Sequence, residues 1–143
     1  MTALSIRLAD SQLSGPRNSL KVALAAARTA AENRGRDIVV LDLRKLTAMC
    51  DYFVLATGTS RRQLHAISEE VDRVLETELG DRRMGLEGYQ ESRWILLDYG
   101  DVVIHVFDDE TRAYYDLEQL WSGAQRVDVS SELGPRSVEL GTA

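Results

Sequence analysis

Cysteine occurs once in this chain of 143 residues, as Cys50, which excludes an internal disulfide and a cysteine-based zinc centre. A lone cysteine of this kind reads as a small buried hydrophobe rather than a reactive thiol. Proline occurs only as Pro16 and Pro135, each directly after a glycine, so loop signatures fall near the two ends and nowhere between. No apolar run approaches the roughly 20 residues that a membrane span requires. The N-terminal stretch has no basic segment leading into an apolar core of the secretory type. Positive charge is also short: 17 Lys and Arg stand against 23 Asp and Glu, a net charge of −6. That balance argues against a general phosphate-backbone binder and leaves no basis for sequence-specific nucleic-acid recognition. It favours a basic partner, because opposite fields speed encounter. Together these absences describe a cytoplasmic chain.

What is present suits one α/β domain with a core large enough to need neither metal nor disulfide. Residues 1–16 read as a flexible leader. A helix is predicted over Ser19–Arg34, capped by Asn18 or Ser19, striped by Leu20, Leu24, Ala27 and Ala31, and ended by Gly35. Ile38–Leu43 and Tyr52–Ala56 read as strands, with Arg44–Asp51 a loop between them. Ser60 and Gln63 fit a capping box for a long helix carrying Leu64, Ile67, Val71, Val74 and Leu75, with Gly80 as its stop. Asp81–Gly88 reads as a weak edge strand, two further strands follow, and a helix runs from about Thr111 to Trp121. Residues 122–143 hold few large apolar groups and read as a loosely ordered tail. The order predicts a mixed five-stranded sheet with flanking helices.

The densest information lies in Trp94–Trp121. Trp94–Asp98 and Val102–Phe107 are predicted to form a hairpin on a two-residue Tyr99–Gly100 turn. That register pairs Asp98 with Asp101, Leu96 with Val103 and Trp94 with His105. One side then carries Ile95, Leu97, Val102, Ile104 and Val106, which is core. The other carries Trp94, Leu96, Asp98, Asp101, Val103, His105 and Phe107, a mixture of apolar and acidic groups with the polar ones at its edge. An apolar centre with a polar rim is how a protein–protein contact is built.

Candidate chemistry is thin. Asp98, Asp101 and His105 share a face, but a working metal or acid–base site needs more converging groups. Thr57–Gly58–Thr59–Ser60 at a helix start has the place of a phosphate cradle without its lysine and glycine spacing. A Gly–Ser pair after a strand suggests nucleotidyltransferases, yet the carboxylate pair that holds their metal ions does not follow. His65 lies on the polar side of the long helix beside Glu69 and reads as a solvated residue. Asp108–Asp109–Glu110 reads as an acidic helix start. Tyr114, Tyr115 and Trp121 either complete the core or form an exposed aromatic surface.

Three stretches, DYFVLATGTSRRQ at 51–63, WILLDYGDVVIHVF at 94–107 and TRAYYDLEQLW at 111–121, resemble the ribosomal silencing factor family, RsfS or Iojap. The resemblance covers residues 17–121. It implies a binding protein rather than an enzyme, with a mixed-sheet fold related to nucleotidyltransferases but without their activity; neither a cofactor nor a metal is expected. It further implies docking on the large ribosomal subunit through its fourteenth protein, which blocks joining of the small subunit and represses translation under nutrient limitation. Homodimers of the free protein are implied as well. The partner-binding residues carried over are Trp94, Leu96, Asp98, Tyr99, His105, Arg112 and Tyr115. The alternative is a nucleotidyltransferase-like enzyme or nucleotide-binding protein.

Overall fold

The computed structural model describes residues 18–133, so the leader 1–16 and the end of the tail lie outside the described residues. Helix α1 is Ser19–Glu32, and its first turn is capped by the Asn18 side chain, which accepts from Lys21 N at 3.1 Å. It ends two residues before the predicted last residue, Arg34. Arg34 takes the left-handed conformation (φ 66°), and Gly35 closes the turn by donating to Ala30 O at 2.8 Å. A Cβ on Gly35 would sit 2.8 Å from that same oxygen, so the glycine is required for close approach.

Strands β1 (Arg36–Asp42) and β2 (Tyr52–Thr57) pair antiparallel, and helix α2 (Arg61–Leu79) follows. Helix α2 matches its predicted limits, with Ser60 accepting from Gln63 N and Gly80 left-handed at φ 64°. Strand β3 is Gly85–Glu87, shorter than expected, and β4 (Trp94–Asp98) and β5 (Val102–Phe107) form the hairpin. Short helices α3 (Asp109–Tyr115) and α4 (Leu117–Leu120) lead to β6 (Gln125–Arg126). The strand order is β3-β4-β5-β2-β1-β6, with β2–β5 parallel and the other pairs antiparallel.

Among the described residues the sheet therefore has six strands and not five. The sixth comes from the segment expected to be a loose tail, where Gln125 and Arg126 pair with Asp42 and Leu41. Beyond it Val127, Val129 and Leu133 pack on the main core. Two strand residues leave no periodicity to detect, which is why the sequence is silent there.

Both long helices cover one face of the sheet. The core between them holds Val40, Val54, Ile95, Leu97, Ile104 and Val106 from the strands against Ala23, Ala27, Leu64, Ile67, Val71 and Leu75 from the helices. The alanine-rich face of α1 lets it lie close to the sheet and to α2. A smaller cluster on the opposite face contains Leu41, Leu43, Leu55, Phe107 and Leu117.

The hairpin register differs from the predicted one by a residue on each strand. Trp94 pairs with Phe107, Leu96 with His105 and Asp98 with Val103. The turn is Gly100–Asp101, closed by Tyr99 N donating to Val102 O at 2.9 Å. Gly100 adopts φ 91° at the first turn position, where a tyrosine would be strained. The slip moves the sum of paired positions by two, so each side chain keeps its predicted face. Tyr99 is the exception, since it leaves the turn and is buried directly after the end of β4.

Candidate functional site

The face turned away from the long helices is built in rows across four strands. Leu41, Phe53, Val103 and Asp98 form one row, and Val39, Leu55, His105 and Leu96 the next. Phe107 and Trp94 begin a third. Helix α4 and Trp121 cover the β1 side, with Trp121 edge-on to Phe53 at 5.8 Å between ring centres. Over β4, β5 and the exposed part of β2 the cover stops. Phe53, Trp94, Leu96, Asp98 and Val103 are left half-buried, forming an apolar strip with one carboxylate at its turn end.

His105 lies beneath this strip, 3% exposed. Its Nδ1 accepts from Trp94 Nε1–H at 3.1 Å, and Phe53 stands edge-on to it at 4.5 Å. With Nδ1 accepting, the ring proton belongs on Nε2, which has no hydrogen-bond partner among the described residues. Burial holds the imidazole far below its ordinary value, at about 3, so it is neutral at physiological pH. The predicted Trp94–His105 neighbourhood is thus present, as a diagonal hydrogen bond instead of a direct pair. The sign of the linkage follows: the unfolded histidine takes up a proton near pH 6.5 and the folded one does not. Stability is therefore full above that pH and falls as pH drops toward 3. Between about pH 6.5 and pH 5, denaturant titration should show the native protein losing about 2 kcal/mol more than His105→Gln. Equal losses in the two proteins would contradict this assignment.

The other predicted site residues divide. Tyr115, 53% exposed, borders the strip and lies 4.8 Å from the Trp94 ring. Tyr99 does not reach the strip: it is buried on the helix side with its hydroxyl donating to Asp72 Oδ1 at 2.7 Å. Arg112 does not reach it either. Its guanidinium is inside, with Nη1 donating to Asp37 O at 2.6 Å and Thr57 Oγ1 at 2.8 Å, and Nε to Glu118 Oε1 at 2.9 Å. It also stacks over Phe107 at 5.5 Å. Arg112 ties α3 to the ends of β1 and β2.

Asp98, Asp101 and His105 do not converge. Asp98 Oδ1 accepts from Gly100 N at 2.8 Å within the turn, while His105 faces Leu96 further along the strand. At the helix start after Thr57 the chain itself takes up several of the backbone donors. Gly58 N donates to Phe107 O, Thr59 N to Gln63 Oε1 and Gln63 N to Ser60 Oγ. The acidic helix start is as expected, with Asp108 accepting from Thr111 N at 2.7 Å. Cys50 is buried, with Sγ–H near Tyr52 O at 3.2 Å, and burial pushes its thiol up to about 11.

Sequence reasoning missed two features. Phe53 belongs to the open strip, but nothing marks its face until β2 is known to pair with β5. His65 is not a solvated residue: it stacks on Tyr89 at 4.2 Å, with Nε2 2.7 Å from Tyr89 O and 2.6 Å from Ser92 Oγ. A carbonyl can only accept, which puts the proton on Nε2 and disqualifies that nitrogen as a base for Ser92.

Comparison with known proteins decides the family. The family model described as "Ribosomal silencing factor during starvation", RsfS, matches residues 16–140. The chain belongs to the RsfS family. Ribosomal silencing factor RsfS of Bacillus subtilis (strain 168) is 40% identical over 113 residues, covering 78% of this chain and 94% of the relative. A more distant relative, "Mitochondrial assembly of ribosomal large subunit protein 1" of Mus musculus, is 32% identical, covering 77% of this chain and 51% of its own length. An X-ray structure of a Chromobacterium violaceum protein superposes with a TM-score of 0.71 at 37% identity, covering 78% of this chain and 92% of that one. The RsfS match runs past Trp121 and takes in β6, in keeping with a docked segment there.

Proposed function

We propose that this RsfS-family chain is a non-catalytic silencing factor of the cytoplasm. It binds the large ribosomal subunit through its fourteenth protein, prevents the small subunit from joining and so represses translation when nutrients are limiting. The observation that carries this reading is the strip of Phe53, Trp94, Leu96 and Val103. It is apolar, continuous across three strands and left uncovered by a fold whose two long helices pack over the other face. An apolar centre bordered by Asp98 and Tyr115 has the composition of a protein interface. The net charge of −6 suits a basic ribosomal protein better than bare rRNA. The large-subunit wording in the name of the mouse relative points the same way. Nucleotide transfer is served less well, because the Gly58 and Thr59 backbone donors are already occupied. In the free protein the same strip is the surface on which two copies would pair.

Zonal sedimentation of tagged protein with separated subunits tests the binding step. The protein should travel with large subunits and not with small ones. Recovery with small subunits, or at the top of the gradient alone, would remove the proposal.

A further inference from the structure

Beside the strip, where the 88–93 loop and β4 meet α3, lies a groove of about 460 Å³ with aromatic walls and an acidic rim. Trp94, Tyr115 and Tyr114 stand in series, with ring centres 4.8 Å and 5.0 Å apart and planes inclined at 49° and 77°. Tyr114 is 81% exposed, although its ring has nothing to gain from water. Glu91 and Glu110 line the same groove. Arg93, its one cationic lining residue, is engaged by Asp108 at 3.4 Å and Glu110 at 3.1 Å. Counting Asp109 with its partner Arg36, and Arg61, which reaches the loop at Gln90, four carboxylates stand against three guanidiniums around this site. No described cation pairs with Glu91.

The loop that carries Glu91 is fixed in place. Gly88 packs so close to Trp94 that a Cβ would fall 1.9 Å from Trp94 O, and Ser92 is left-handed at φ 59°. Arg61 Nη2 holds Gln90 O at 2.9 Å, His65 Nε2 holds Tyr89 O, and Ser92 N holds Gly88 O at 3.0 Å. The His65–Tyr89–Ser92 cluster, which the silencing function leaves without a role, thus buttresses one wall of the groove.

We propose that this groove is a receptor for an arginine side chain presented by a protein partner. Tilted aromatic faces attract a cation through their negative π surfaces, and a planar guanidinium stacks on them where an ammonium cannot. Glu91 supplies an unpaired carboxylate for a charge-assisted, bidentate contact. The volume accepts a whole side chain and not an ion alone. The inference deepens the proposed docking of the adjoining strip and rests on it for the identity of the partner, while the arginine site itself can be tested without ribosomes.

Two arms test it. In the first, hexa-arginine is titrated into isotope-labelled protein. The Trp94 indole and the Tyr114 and Tyr115 amides should shift together, hexa-lysine should bind more weakly, and Glu91→Gln with Tyr114→Ala should weaken hexa-arginine about tenfold. Silence of these signals, or their movement by single-stranded RNA and not by hexa-arginine, overturns the proposal. In the second, large-subunit affinity is compared for Tyr114→Ala, whose ring is exposed, and Leu96→Asp on the strip. A loss of about tenfold in both supports the groove as part of the contact. Loss with Leu96→Asp alone overturns the groove and leaves the strip standing. Absence of any large-subunit binding by the native protein removes the ribosomal reading, and the peptide arm still decides the arginine site.

Discussion

Arg112→Ala should cost the fold about 3 kcal/mol, the scale for removing one partner of a buried ion pair. The guanidinium is held at once by Asp37 O, Thr57 Oγ1 and Glu118 Oε1, and its side chain is only 10% exposed. Truncation leaves the Asp37 carbonyl, in a residue with φ 50°, without its donor, at the irregularity where β1 slips against β2. It also leaves Glu118 to Arg126 alone, at 3.1 Å. Arg112→Lys should recover little, because one ammonium cannot serve three acceptors arranged around a planar fork. Denaturant midpoints for the two variants check this. If both match the native protein, Arg112 is a surface contact after all.

Trp94→Ala should weaken large-subunit binding by about 2 kcal/mol or more, the scale of an interface hot spot. The indole packs against Phe107 and Tyr115 and bonds His105, so some stability is lost too. Ile104→Ala separates the two effects. Ile104 is fully buried on the helix side, and its truncation should cost roughly 2–5 kcal/mol of stability through a cavity while the folded protein still binds. Measured well below both melting temperatures, a Trp94→Ala protein that binds at native strength would take Trp94 out of the contact.

Elements whose signals are local were legible in the sequence. Ser60 with Gln63 and Gly80 marked both ends of α2, because caps act within one turn. The two-sidedness of the hairpin was legible as well, since alternation survives a paired slip. The register was not, because it turned on whether Gly100 took the first or second turn position. That choice moved Tyr99 from the binding set into the core. Arg112 was misplaced for a different reason. Its partners Asp37 and Thr57 lie 75 and 55 residues away, and no local pattern reports contacts of that range. The same holds for Phe53 and for the short β6, which exist as site and strand only once β2, β5 and β1 have assembled.

Blocked subunit joining is the central claim, and light scattering of mixed ribosomal subunits tests it most directly. Large subunits preincubated with saturating protein should show a slowed and reduced rise in scattering when small subunits are added, with Trp94→Ala restoring the rise. A rise of unchanged rate and amplitude, with the protein shown to be bound, would contradict the account.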